Sequence, residues 1–196
     1  MDILIDVMKF LHILGVVFMS VPLFSLIIVN ERARLGGGLV YSTDRYLENI
    51  IKGQSRRCYV FQLTVLTTGI VLLIIEGMGI ESIIFNWVIA VKTVLLLTLM
   101  SLLSYVHFGI QPGIESLLSK VNPEGEIPEE IAAGIKPLRL RRKKLAATCL
   151  FIVITLIILG LQVVSRFNPV LTLVLIALAG LFTLRVYKSL IPFGWI

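Results

Sequence analysis

Five long apolar runs constrain the fold of this chain more than any other feature of its sequence. Each run approaches or exceeds the roughly 20 residues that a helix needs to cross a lipid bilayer. Because lipid offers the backbone no hydrogen-bond partners, we expect each run to satisfy its own backbone groups as a helix. The sequence therefore predicts an all-α membrane bundle, a single domain of five transmembrane helices over residues 3–29, 59–75, 83–108, 145–164 and 170–186.

The composition indicates the same class of protein. Hydrophobic residues make up 57% of the chain and charged residues only 15%, and the mean hydropathy of +0.97 is far above that of an ordinary soluble domain. The net charge of +6 resides mostly between the apolar runs, so it does not indicate binding to nucleic acid. The first run lacks a basic leader and a small-residue cleavage site, and we expect it to remain as a helix.

The basic residues are distributed unevenly among the loops. Residues 30–57 and 109–144 carry many of them, including the block LRLRRKKL, whereas residues 77–82 carry none and the fourth loop carries only Arg166. Basic loops of membrane proteins remain preferentially in the cytoplasm. We therefore expect both basic segments to be cytoplasmic loops, the N-terminus to lie outside and the C-terminus inside.

The first basic loop contains the pattern of a short helix. Ser42 or Thr43, followed by Asp44, is typical of a helix N-cap, and Gly53 can end a helix. Apolar side chains recur between them at helical spacing: Tyr46, Leu47, Ile50 and Ile51. This pattern predicts a separate amphipathic helix on the membrane surface, where its positive charges would favour anionic lipid headgroups.

Lys92 is a charge inside the otherwise apolar run from Trp87 to Val106. A charged side chain at the centre of a bilayer costs about 2.5–3.5 kcal/mol on insertion scales, so such residues usually face the bundle interior or find a partner. With a rise of 1.5 Å per residue, Lys92 and His12 both lie roughly 6–11 Å to the outer side of the midplane. The predicted topology thus places five polar residues in the outer half of the membrane: Asp6, His12, Glu76, Lys92 and Gln162.

The face of the first run that carries His12 suits a haem site. Met8, His12, Gly15 and Met19 follow one another at spacings of four, three and four, so they line one stripe of a helix. An imidazole can ligate haem iron, a glycine one turn away lets a macrocycle approach, and methionine is a soft metal ligand. The alternative is that the small residues and methionines serve helix packing and that His12 bonds to a neighbouring helix.

His107 is the only other histidine and has two interpretations. It either ligates a second, inner cofactor or lies at the membrane interface beside Tyr105. Its depth differs from that of His12 by roughly 20–27 Å on straight-helix geometry. The two histidines are therefore not expected to ligate opposite faces of one haem.

Lys92 also has two interpretations. It either serves a cofactor, by holding a propionate, exchanging a proton or ligating the iron, or it extends towards the surface at Trp87 or pairs with Glu76. Cys58 and Cys149 have neither metal-ligand spacing nor the pattern of a disulfide framework. We expect both cysteines to lie towards the cytoplasmic side and to serve packing.

Four segments of the chain carry a family pattern: FLHILGVVFMSVPLF, RRCYVFQLTVLTTGIVLLI, WVIAVKTVLLLTL and RRKKLAATCLFIVI. They resemble, in that order, the first helix with its histidine, the second helix with its central glycine, the third helix with Trp and then Lys, and the basic entry to the fourth helix of the HemJ-type protoporphyrinogen oxidases. The relatives of these oxidases include the membrane domain of the copper-resistance CopD family. The resemblance covers about residues 1–165.

The resemblance implies a small helical inner-membrane protein that binds haem b and oxidises protoporphyrinogen IX. The histidine and lysine that the family requires map onto His12 and Lys92. The chain departs from the family pattern where Phe18 and Met19 replace a tryptophan after the histidine, and where His107 stands further from the lysine than the family's third-helix histidine does. The fifth apolar run has no clear counterpart in the family.

Three functional hypotheses follow. The first is a haem-dependent oxidoreductase, with His12 as the iron ligand, Lys92 in a catalytic role and Gly15, Met19 and Gln162 around the cofactor; its electrons would pass to a quinone or a partner protein. The second is a non-catalytic subunit that anchors a respiratory complex. The third is a transporter of copper or another small solute along Met8, His12 and Met19. The expected partners are the lipid bilayer and either other membrane redox subunits or a second copy of the chain, and not nucleic acid.

Overall fold

Helices account for nearly all of the chain that the structure describes. The computed structural model describes residues 2–32, 39–123, 125–165 and 168–189. Within these ranges no strand occurs, and five helices are long and apolar enough to cross a membrane. The prediction of an all-α bundle with five spanning helices is confirmed by Ile3–Glu31, Tyr41–Ile75, Trp87–Leu118, Glu129–Val163 and Pro169–Lys188.

The helical elements are named in chain order. They are α1 (Asp2–Glu31), α2 (Tyr41–Ile75), α3 (Ser82–Phe85), α4 (Trp87–Ser104), a π-helical turn (Tyr105–Ile110), α5 (Gln111–Leu118), α6 (Glu129–Ser165) and α7 (Pro169–Lys188). The helix α4, the π-helical turn and α5 follow one another without a break. Together they form the third spanning helix.

The first basic loop folds differently from its prediction. Helix α2 begins at Tyr41 and continues through Gly53 into the membrane span, so the prediction of a separate amphipathic helix on the membrane surface is wrong. A glycine inside a helix costs only about 1 kcal/mol, and the buried neighbour Ile51 ties this segment to the bundle. Asp44 accepts a hydrogen bond from the backbone nitrogen of Val40 at 2.9 Å, immediately before the helix.

The second basic loop is also largely helical, because α5 and the beginning of α6 lie within residues 109–144. The block LRLRRKKL belongs to α6, and its cations divide between two faces of that helix. Arg139, Arg142 and Lys143 are fully buried, whereas Arg141 and Lys144 are exposed. A block that the sequence assigned to a cytoplasmic loop therefore contributes to the interior of the protein.

Helix α4 begins at a polar N-cap residue and helix α2 ends next to a glycine with positive φ. The side-chain oxygen of Asn86 accepts a hydrogen bond from the backbone nitrogen of Val88 at 3.1 Å and so caps the start of α4. At the end of α2, Gly77 has a φ of +74°, a left-handed conformation that favours glycine. These caps confine each helix to one span.

The spanning helices pack as a four-membered ring with a fifth helix outside it. Helix α1 packs on α2 and α6, α4 packs on the same two helices, and α7 packs on α6. Helices α1 and α4 therefore occupy opposite corners of the ring. His12 on α1 and Lys92 on α4 belong to helices that face each other across the bundle axis.

The interior of the ring is apolar, as the five apolar runs predict. Met19, Leu99, Leu150 and Val153 are nearly inaccessible and pack together in it. The outward faces carry large exposed apolar side chains, for example Phe10, Leu63, Val94, Leu161 and Leu173. An apolar surface on every spanning helix suggests contact with the tails of a lipid bilayer.

A network of buried polar and charged side chains joins the helices at one end of the bundle. Its members, here called the ion-pair network, are Asn30, Glu31, Asp44, Glu48, Gln111, Arg139, Arg142 and Lys143, each at most 4% exposed. They come from α1, α2, α5 and α6. The network therefore connects residues that are far apart in the sequence.

Glu48 lies at the centre of the ion-pair network. Arg142 donates to one carboxylate oxygen of Glu48 through Nη1 at 2.7 Å and to the other through Nη2 at 2.9 Å. Arg139 donates to Glu48 through Nε at 3.0 Å and to Asp44 through Nη1 at 2.6 Å. Such forked guanidinium–carboxylate contacts fix both distance and orientation.

The remaining members extend the network to neighbouring helices. Arg142 donates to the side-chain oxygens of Asn30 at 2.9 Å and Gln111 at 2.6 Å. Lys143 lies 3.4 Å from Glu31 and donates to the backbone oxygen of Ser189, just beyond α7, at 2.7 Å. A buried ion pair adds little over apolar packing, but removing one partner costs about 3–5 kcal/mol. The network thus acts mainly by specifying which helices meet and in which register.

We expect Glu48→Gln to lower the free energy of unfolding by about 3–5 kcal/mol, because it leaves two buried guanidinium groups without their shared counter-charge. Denaturant titration in mixed micelles measures this change. Glu76→Gln is the matched control, since it removes a partly exposed ion pair with Lys9 and should cost at most about 1 kcal/mol. Equal, small losses for the two variants would contradict the assigned role of the network.

Candidate functional site

His12 is held in one orientation by α2. Its Nδ1 lies 3.0 Å from the hydroxyl oxygen of the buried residue Thr68. That hydroxyl donates its own proton to the backbone oxygen of Thr64 at 2.6 Å, so it accepts a hydrogen bond from His12. This pattern assigns the imidazole proton to Nδ1 and leaves the lone pair of Nε2 for a ligand.

The imidazole packs directly on the backbone of α2. A Cβ added at Gly69 would lie 3.3 Å from Cε1 of His12, closer than side chains normally approach. The imidazole is half-buried, so part of the ring remains accessible. Thr68 and Gly69 therefore hold the imidazole of His12 in one orientation, as the hydrogen-bond partners of metal-ligating histidines do.

Gly15 and Met19 belong to helix packing in this structure. A Cβ at Gly15 would lie 2.8 Å from Cγ2 of Val65 and 3.4 Å from the backbone oxygen of Phe61, so Gly15 lets α1 and α2 approach closely. The space that the haem interpretation assigns to a macrocycle beside Gly15 is filled by α2. Met19 is 1% exposed and lies in the apolar core.

Lys92 faces the bundle and not the membrane surface at Trp87. Its Nζ lies 3.9 Å from the position of a Cβ built on Gly160, so the ammonium group rests beside the bare backbone of α6. Lys92 is half-buried. The two residues that the sequence and the family resemblance both selected therefore lie on helices that face each other across the bundle axis.

Glu76 is not the partner of Lys92. It pairs instead with Lys9 at 2.8 Å, near exposed Asp6 at one end of the bundle. Within the described ranges no ion pair to Lys92 is formed. The ammonium group of Lys92 therefore has no carboxylate to neutralise it there.

Gln162 makes a hydrogen bond between two spanning helices. Its amide nitrogen bonds to the hydroxyl of Thr172 and so joins α6 to α7. This contact lies on the side of α6 that α7 covers. Of the five polar residues predicted to form a cluster, Glu76 thus forms an ion pair with Lys9 near Asp6, Gln162 forms an interhelical hydrogen bond, and His12 and Lys92 lie on helices that face each other.

His107 lies in the π-helical turn. Its ring contacts those of Tyr59 and Phe108 edge-on, with centroid distances of 6.1 and 4.8 Å, and its buried Nδ1 has no hydrogen-bond partner in the described part of the chain. Among those residues, no group of three or more His, Cys, Asp or Glu side chains is arranged to hold a metal ion. A second cofactor at His107 stays a prediction.

The sequence did not identify Thr68 or Gly160 as parts of the site, and it gave Gly69 no role there. One signal for Thr68 was present, because Ser55, Gln62 and Thr68 place polar side chains about two turns apart on the buried face of α2. Gly69 is the central glycine of the second-helix segment in the family resemblance, whereas Gly160 has no such signal. The role of both glycines depends on which helix packs against them, and that is a property of the tertiary structure.

Comparison with known proteins gives no relative for this chain. No family model matches it, and neither a curated protein nor a solved structure is similar to it. The likeness to HemJ-type proteins therefore stays an expectation from the sequence. The geometry of His12 and Lys92 is the basis for a functional proposal.

We expect Thr68→Val to release His12 from its single tautomer, because valine keeps the volume but removes the hydroxyl acceptor. Nitrogen-15 NMR of labelled histidine distinguishes the two tautomers, and the unaltered protein should carry its proton on Nδ1. Thr67→Val is the matched control, since the Thr67 hydroxyl bonds to the backbone oxygen of Leu63 and not to His12. A proton on Nε2 in the unaltered protein would contradict the assigned hydrogen bond.

Proposed function

We propose that the chain is an integral membrane redox protein that holds a haem b through His12 and passes electrons to a quinone or a partner protein. The observation that carries the proposal is the contact between Nδ1 of His12 and the Thr68 hydroxyl. It orients an imidazole inside a membrane bundle and leaves Nε2 able to ligate iron. A bound haem would supply one-electron chemistry that no side chain of the chain provides.

Lys92 is the second element of the proposal. An ammonium group within the apolar span costs free energy, which a functional role would explain. Because Lys92 has no carboxylate partner among the described residues, its charge is available to a bound anion. We assign it the role of holding a haem carboxylate and keeping that group close to His12.

His12 would hold the iron and Lys92 a carboxylate of a haem, and the available space limits where the cofactor could lie. The cavity inside the core measures about 40 Å³, whereas cofactor pockets usually enclose about 300–1,000 Å³. A haem does not fit that cavity. Binding near His12 and Lys92, which are half-buried, would require α1 and α4 to move apart and accommodate the macrocycle.

The membrane position of the site suits a lipid-soluble electron acceptor. The spanning helices expose apolar side chains towards the surroundings, so a quinone could approach from the bilayer without crossing water. A protein partner would instead need a polar docking surface. Lys92 can additionally exchange a proton with groups near His12, as reduction of a quinone requires protons.

We expect the purified protein to show a haem Soret band and His12→Gly to lose it, because the substitution removes the nitrogen that would ligate the iron. Added imidazole should restore part of the band in His12→Gly by supplying that nitrogen in solution. Absorption spectra and haem extraction measure both effects. Absence of haem from the unaltered protein after expression with ample haem supply would contradict the proposal.

We expect Lys92→Gln to weaken retention of haem by about tenfold, a loss of about 1.4 kcal/mol, because the carboxylate loses its charged partner. Titration of the haem-free protein with haem measures the affinity. Lys9→Gln is the matched control, since Lys9 is exposed and paired with Glu76. An equal effect of the two substitutions would show that general charge, and not Lys92, is responsible.

A further inference from the structure

A cavity of about 40 Å³ lies in the core of the bundle, where α1, α2, α4 and α6 meet. Its walls are mainly aliphatic, but three sulfur-containing side chains from three helices line it: Met19, Cys58 and Cys149. They are 1%, 3% and 7% exposed, and both thiols are free. Both cysteines of the chain thus reach one small space although they are far apart in the sequence.

A buried amide provides a second, independent observation. Gln62 lines the same cavity and is 2% exposed, and its side-chain oxygen has no hydrogen-bond partner among the described residues. A buried polar group without a hydrogen-bond partner destabilises the folded protein. Because amide oxygen and nitrogen can exchange places by rotation, Gln62 can instead donate an N–H to an acceptor inside the cavity.

Cys58 on α2 and Cys149 on α6 line the same cavity. Thiolate and thioether sulfur are soft ligands and select monovalent copper over harder cations. Three sulfur ligands are too few for the four-coordinate site that structural zinc takes. The cavity has room for an ion, whereas an organic ligand needs several hundred cubic ångströms.

We infer that Met19, Cys58 and Cys149 bind one Cu(I) ion in this cavity. Each thiol gives up its proton when the ion binds, so two thiols and Cu⁺ yield one anionic copper dithiolate and two released protons, with no change of oxidation state. The thioether of Met19 is the neutral third ligand. The amide of Gln62 donates to a thiolate and stabilises the remaining negative charge.

The site does not depend on the proposed haem function. It uses neither His12 nor Lys92, the two residues to which the proposed function assigns haem binding, and neither residue lines the cavity. Copper binding and haem binding can therefore be tested separately in the same full-length protein. Loss of haem in His12→Gly leaves the predicted copper stoichiometry unchanged.

The test is anaerobic titration of the full-length protein in detergent with Cu(I) in competition with a chromogenic chelator. We expect one copper per chain, ultraviolet absorption from thiolate-to-copper charge transfer, and release of two protons per ion. X-ray absorption should place only sulfur in the first coordination sphere. Ag(I), which does not change oxidation state, should protect both cysteines from a membrane-permeant maleimide.

Substitution of the ligands identifies the site. Cys58→Ala and Cys149→Ala should each weaken Cu(I) binding by at least about tenfold, and Met19→Leu should weaken it by several-fold. Mutating even the residues that only hydrogen-bond to metal ligands usually lowers metal affinity by about 10–100-fold. Met100→Leu is the matched control, because Met100 does not line the cavity. Gel filtration and circular dichroism show whether each variant is folded, and silver protection of the unaltered protein needs no variant.

Three results would overturn the inference. The first is that the folded, reduced protein retains no Cu(I) against the chelator, in which case the sulfurs only fill core space. The second is that the double variant Cys58→Ala/Cys149→Ala binds copper as well as the unaltered protein. The third is that His12→Gly abolishes copper binding, which would place the ion at the other site.

Discussion

Pairing of Glu48 with Arg139 and Arg142 is the interaction on which the rest of the bundle depends. These charges are fully buried, so each is tolerable only while its partners stay in place. Apolar packing alone allows helices to slide or exchange neighbours, whereas the forked contacts allow one arrangement. By joining α2 to α6, and through Asn30 also to α1, the network fixes the ring in which α1 and α4 face each other.

The network also determines which side chains meet further along the same helices. With α1 and α2 in register, Thr68 and Gly69 come to lie under the imidazole of His12. With α4 and α6 in register, Lys92 lies beside Gly160. Polar groups within apolar spans are costly, and His12 and Lys92 are carried by helices on opposite sides of the ring. We therefore build the functional proposal on these two residues.

The sequence predicted the five spans because their apolar length is a local property. It also selected His12 and Lys92, because depth along a helix follows from residue number. It missed the ion-pair network, since basic residues such as Arg142 look like loop charges until the acidic partners on other helices are known. It also did not show the contacts of Gly15 with Val65 or of Gln162 with Thr172, because the neighbour that a small or polar side chain meets is decided by helix packing.

The central claim is that His12 supplies a nitrogen ligand to haem iron. Pulsed electron paramagnetic resonance of the ferric protein, grown with ¹⁵N-histidine, measures this bond directly. The chain has two histidines, so His12→Ala and His107→Ala form a matched pair. We predict a strongly coupled ¹⁵N signal that persists in His107→Ala and disappears in His12→Ala. A signal that disappears only in His107→Ala would contradict the account and move the cofactor to the other end of the third spanning helix.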